Sequence, residues 1–140
     1  MQVRQSRQAL ELTEGECWAL LGSVPVGRVV FMMRAMPTIR LVNHVTDRRT
    51  VVFRSHLGAA IVGHAGQEGA VVCYEADELD EPRRTGWSVI VTGLAEVVRE
   101  PAAVACYQRL LEPWAEGQMD YVIAIRPQAI TGIRLVGWCR

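Results

Sequence analysis

Val51-Val52-Phe53-Arg54-Ser55-His56-Leu57-Gly58-Ala59-Ala60-Ile61 is the stretch around which the 140-residue chain is organised. It reads as an apolar strand that runs into Arg-Ser-His, turns through Gly58 and starts a short helix. That order brings an arginine, a hydroxyl and a helix N-terminus to one strand end. A phosphate suits such a place, because the guanidinium offers a charged fork and the first helical N–H groups point at the anion. The plainer alternative is a solvated arginine at a strand terminus, and the rest of the chain has to decide between them.

Working outward, the preceding segments are β-rich and joined by short turns. Val26 to Met33 reads as a strand, Arg34-Ala35-Met36-Pro37 as a hairpin turn, and Thr38 to Asn43 as a second, alternating strand. Asp47-Arg48-Arg49 makes the next turn and Thr50 to Phe53 the third strand. Short turns imply antiparallel pairing, since parallel neighbours need long crossovers. Beyond the central stretch, Ala70 to Ala76 is an apolar strand and Asp77 to Arg84 an exposed charged loop. Gly86 to Val98 is the longest β stretch, with Gly93 marking a bulge. Tyr121 to Ile125 and Ile130 to Val136 are the last strands, separated by Arg126-Pro127-Gln128.

Two further helices carry end signals. Thr13-Glu14-Gly15-Glu16 fits a capping box, and Glu100-Pro101 places proline at its favoured first position before a stripe of Val104, Tyr107, Leu110 and Leu111. Residues 1–12 are polar and read as a flexible N-terminal segment, leaving 13–140 as a single domain. About six strands and few helices, with no βαβ alternation or repeat, predict a mainly β fold. A small antiparallel barrel is the natural architecture, because closure removes exposed edges.

Composition narrows the function. Arg+Lys and Asp+Glu balance at 15 each, which argues against nucleic acid or an anionic membrane as partner. All the cations are arginine, which favours planar, bidentate contacts. Cys17, Cys73, Cys106 and Cys139 form no C-x-x-C pair, so reduced thiols in a cytoplasmic protein are expected. No run approaches the roughly 20 apolar residues of a membrane span, and no leader pattern opens the chain. His44, His56 and His64 lie on different elements, so no metal site is expected. Nucleotide loops, nucleophile elbows and paired carboxylates are missing from the sequence, and no catalytic residue stands out. What remains is a set of ligand-type residues at strand ends: Asn43, Arg54, Ser55, Glu75, Trp87 and Ser88. Asn43 can both donate to and accept from a heterocycle edge, and Trp87 can pack against a flat ring. Together they suit a phosphorylated aromatic cofactor.

Five segments in order resemble the pyridoxamine 5′-phosphate oxidase-like flavoproteins. Gly27-Arg28-Val29-Val30-Phe31 resembles their G-R-L-A-F strand, and Pro37-Thr38-Ile39-Arg40-Leu41-Val42-Asn43-His44 their P-x-x-x-P-V-N-Y segment. Val52-Phe53-Arg54-Ser55-His56-Leu57-Gly58 resembles V-x-F-R-T-x-x-G. Arg84-Thr85-Gly86-Trp87-Ser88-Val89 matches R-T-G-W-S-V, and Ile130-Thr131-Gly132-Ile133-Arg134 is similar to I-T-G-R-R. The resemblance implies a six-stranded antiparallel Greek-key split barrel of the flavin-binding type, acting as a flavin mononucleotide (FMN) oxidoreductase on a small-molecule substrate. It further implies a homodimer with cofactor sites at the interface. On that reading Phe53, Arg54 and Ser55 form the phosphate segment, Leu41, Val42 and Asn43 line the isoalloxazine and ribityl chain, and Trp87 and Ser88 reach over from the partner subunit. Ala60 stands where relatives keep a lysine. That change, with His44 in place of tyrosine, keeps a deazaflavin or haem-binding alternative open, with His44 or His56 as the axial ligand.

Overall fold

The computed structural model describes residues 8–56, 61, 69–112 and 121–137. Its strands are β1 (Gln8–Glu11), β2 (Val26–Met33), β3 (Met36–Asp47), β4 (Thr50–Ser55), β5 (Ala70–Asp80), β6 (Thr85–Val97) and β7 (Tyr121–Val136); its helices are α1 (Glu14–Ser23) and α2 (Pro101–Leu110). All pairings are antiparallel in the order β1-β7-β4-β3-β2-β5-β6, and β6 also pairs with β7. That last ladder closes strands β2 to β7 into a six-stranded barrel. β4 and β5 are consecutive in the chain but separated by β3 and β2, which is the Greek-key step.

The long β7 explains the split in the barrel. One of its edges pairs with β6 from Ile123 to Leu135. Its other edge pairs with β4 over Tyr121–Ile125 and with β1 over Ile133–Val136. β1 therefore comes from the segment expected to be flexible, and it raises the strand count of the sheet from six to seven. Apolar content does not reveal such a strand; its four residues are all exposed and gain only main-chain pairing.

Two other boundaries differ from expectation. The supposed break at Arg126-Pro127-Gln128 is absorbed into β7 as a bulge. Thr92 faces Ala129 while Gly93 faces Pro127, so Gln128 is the extra residue. A Cβ on Gly93 would lie 2.2 Å from the Arg126 carbonyl oxygen, which is why glycine stands there. The charged stretch expected as a loop is mostly strand. β5 continues to Asp80 against Thr85–Ser88 of β6, and only the residues between them turn. Charged side chains do not prevent pairing where they face solvent.

Inside the barrel, the alternating residues of the strands build one core. It includes Val29 and Phe31 of β2, Phe53 of β4, Tyr74 and Ala76 of β5, Trp87, Val89 and Val91 of β6, and Ile123 and Ile125 of β7. α1 plugs one end with Cys17 and Leu21, both fully buried. Its capping box is as expected, with Thr13 and Glu16 exchanging hydrogen bonds of 3.0 and 3.2 Å. α2 lies outside, where Val104 and Tyr107 pack on a second cluster of Val52, Leu111 and Val122. Glu100 caps it by accepting from Ala102 and Ala103.

The two hairpins β2–β3 and β3–β4 turn on Arg34-Ala35 and Arg48-Arg49. All four residues have positive φ, between 49° and 61°. That is the geometry of tight primed turns, which favour Asn-Gly because a Cβ is strained in the left-handed region. Arg34→Asn combined with Ala35→Gly is therefore expected to stabilise the fold by about 1–2 kcal/mol. Thermal unfolding would register this as a higher melting temperature.

Candidate functional site

β3 changes partner between Asn43 and His44. Up to Asn43 it is paired with β2, and from His44 onward with β4, whose last rung is His44 opposite Phe53. Past that rung β3 and β4 part, and Asn43 and Arg54 flank the gap on the outer face. The C-terminal end of α2 reaches the same place. Asn43 Nδ2 donates to the Glu112 carbonyl at 2.8 Å, and Arg54 Nη1 donates to the Leu111 carbonyl at 3.0 Å. Carbonyls at a helix C-terminus carry partial negative charge, so a guanidinium is held there favourably. α2 is itself tied down at Leu111, which is buried, and by Tyr107, whose hydroxyl donates to Asp47 at 2.7 Å. That acceptor pushes the Tyr107 phenol up to about 12, with burial adding to it.

The two residues singled out for phosphate and heterocycle recognition are thus brought together, whereas Ser55, 5% exposed, follows on the same side of β4 as Phe53. Leu41 shares the outer face and is 66% exposed. Val42 and Phe53 point the other way: Val42 packs against the barrel core and Phe53 is buried within it, so only their backbones are offered to an outer ligand. Ala60 and most of the helix expected after Gly58 lie outside the described residues; Ile61 is described and buried.

Trp87 and Ser88 do not join this group within one chain. They lie on β6, three strands along the wall from β3. At about 4.8 Å per strand this is roughly 14 Å. The Trp87 ring is 4% exposed and belongs to the core, while Ser88 faces outward into a groove of about 310 Å³ lined also by Glu11, Glu14, Ile90, Thr131 and Ile133. This wall of β3, β2, β5 and β6 carries exposed apolar side chains: Met32, Ile39, Leu41, Val71 and Ile90.

Glu75, read as a ligand-type residue, belongs to this outer wall instead. Arg28 Nη1 lies 3.0 Å from its carboxylate and 3.5 Å from that of Asp77. Burial, followed by a hydrogen bond and repulsion from Asp77, pushes Glu75 from 4.5 up to about 7 against the pull of Arg28. Because the folded state keeps this proton longer than the unfolded chain, the group makes stability fall as pH rises from its ordinary value toward 7. Glu75→Gln should remove that part of the slope, seen by comparing melting temperatures at about pH 5 and about pH 8.

His44 and His56 were the candidate axial ligands. His56 is exposed, whereas His44 is buried inside the barrel with both ring nitrogens engaged, Nε2 at 2.9 Å from the Leu21 carbonyl and Nδ1 with the Tyr74 hydroxyl. That buried pair was not legible in the sequence; the available signal was a tyrosine on an otherwise apolar alternating strand. Among the described residues no group of three or more His, Cys, Asp or Glu is arranged to hold a metal ion, and no helix is long and apolar enough to cross a membrane.

With this geometry in view, the chain can be set beside known proteins. The family model described as pyridoxamine 5′-phosphate oxidase matches residues 13–134. An uncharacterized protein of Mycobacterium tuberculosis is 50% identical over 136 residues, 95% of this chain and 90% of that one. Among solved structures, a candidate pyridoxamine 5′-phosphate oxidase of Corynebacterium glutamicum is 30% identical with a TM-score of 0.76, covering 91% of this chain and 98% of that one. An FAD binding protein of Mycobacterium smegmatis is 36% identical with a TM-score of 0.70, covering 89% and 97%.

Proposed function

The chain belongs to the pyridoxamine 5′-phosphate oxidase family, and from that premise we propose that it is a flavin-dependent oxidoreductase that holds FMN where β3 and β4 part. The observation that carries this is the convergence of Asn43 and Arg54 on the end of α2. The donor set fits the cofactor: a five-donor guanidinium fork for phosphate, and a carboxamide for a polar ring edge. The flavin would supply the redox chemistry, and the protein residues would bind and orient it. Arg54 and Ser55 hold the phosphate, and the Leu41–Asn43 edge lies along the ring and ribityl chain. FAD is the second reading, favoured by the 36% identical FAD binding protein. His44 is poorly placed for haem, because both its nitrogens already have partners.

The site is completed by a second copy of the chain. Support comes from the separation of Ser88 from Asn43 within one barrel and from the exposed apolar side chains on the outer wall, Ile39 and Leu41 among them. A wall of this kind is ordinarily covered in an assembly. Ile39 is 59% exposed on it and touches no proposed ligand group. Ile39→Glu is therefore expected to shift the chain to monomer in sedimentation and to lose most of its FMN binding. A dimer that persists with full binding would contradict the shared site.

A further inference from the structure

We propose that Tyr74 is a positioning residue for the cofactor site, acting through His44 on the strand end that carries Asn43; this rests on the flavin reading above. The place where β3 leaves β2 for β4 determines where Asn43 points, and His44 is the residue pinned there. Its backbone N–H donates to the Pro25 carbonyl at 2.9 Å. Its side chain enters the barrel and bridges two further elements, α1 through the Leu21 carbonyl and β5 through the Tyr74 hydroxyl.

The protonation pattern follows from the partners. A carbonyl only accepts, so Nε2–H donates to Leu21 and Nδ1 accepts from the Tyr74 hydroxyl. Burial favours the neutral forms, lowering His44 and raising Tyr74. Tyr74 is clamped in turn. Its ring meets His44 edge-on at 5.1 Å and stacks with Phe53 at 6.1 Å. A Cβ on Gly27 would lie 2.5 Å from the hydroxyl oxygen, so glycine there leaves the phenol its room. Phe53 faces His44 on the last rung of the β3–β4 ladder, so the phenol braces both strands at the point where they part. Directly beyond are Asn43 and Arg54. A hydroxyl inside the core thereby fixes two donors on the outside of the barrel.

Tyr74→Phe removes the hydroxyl and keeps the ring. The first readout needs no cofactor: the Asn43 carboxamide signal in isotope-labelled protein, identified by its loss in Asn43→Ala. It is expected to move, and its exchange with solvent to quicken about fivefold. The second is FMN titration. Affinity should fall about fivefold in Tyr74→Phe but by less than about twofold when the change is made in Asn43→Ala, because the effect travels through Asn43. Should Tyr74→Phe melt below the assay temperature, His44→Leu takes its place. His44→Gln, whose amide can donate to Leu21 and accept from Tyr74, should restore the signal. An unmoved Asn43 signal, or equal affinity losses in both backgrounds, overturns the proposal. If the unaltered chain leaves FMN unbound, the flavin reading falls, and the Asn43 signal alone decides the positioning role.

Discussion

Arg54→Ala is expected to weaken FMN binding by about 10- to 100-fold, the range of a lost charge-assisted hydrogen bond to phosphate. Arg54 is a cation that described contacts place beside Asn43, both being bonded to the end of α2. Arg54→Lys keeps the charge but not the planar fork, so it should recover only part of the loss. The guanidinium bond to Leu111 also ends, which loosens α2 against β4 but leaves the barrel core intact. Fluorescence titration with FMN reads the affinity, and a melting temperature close to that of the unaltered protein separates binding from folding.

Phe53→Ala should do the reverse, with its main effect on stability. The ring is fully buried, stacks on Tyr74 and lies in the cluster that also holds Phe31, Ile123 and Ile125. Removing it leaves a cavity that the closed barrel can only partly collapse around, because β4 is paired to β3 on one side and to β7 on the other. A loss of about 3–5 kcal/mol follows from this class of truncation, and for a chain of this size that is a fall of about 10–15 °C in melting temperature. A loss under about 1 kcal/mol would mean that Phe53 is not the core residue described here.

Phe53 and Arg54 show what the sequence could and could not reveal. Their adjacency in an apolar strand places them on opposite faces, and the strand itself was legible from its apolar run and the turn before it. The order of motifs around it pointed to the barrel. Which face meets a ligand was not legible, because a phenylalanine beside an arginine serves a core or a flat cofactor equally well. β1 escaped because four exposed residues carry no apolar pattern, and the Pro127 break was a bulge because Gly93, across the sheet, makes room for it. The approach of α2 to Asn43 and Arg54 spans 69 and 57 residues of chain, a distance over which local pattern carries no information. The same is true of Tyr74 and His44, thirty positions apart.

The central claim is that a flavin is held where Asn43 and Arg54 meet the end of α2. The absorbance spectrum of the purified chain, followed by titration with FMN, tests it most directly. The account predicts flavin bands, or FMN fluorescence quenched until bound flavin equals the amount of chain, with the quenching lost in Arg54→Ala. A colourless protein that leaves FMN fluorescence unchanged would contradict it.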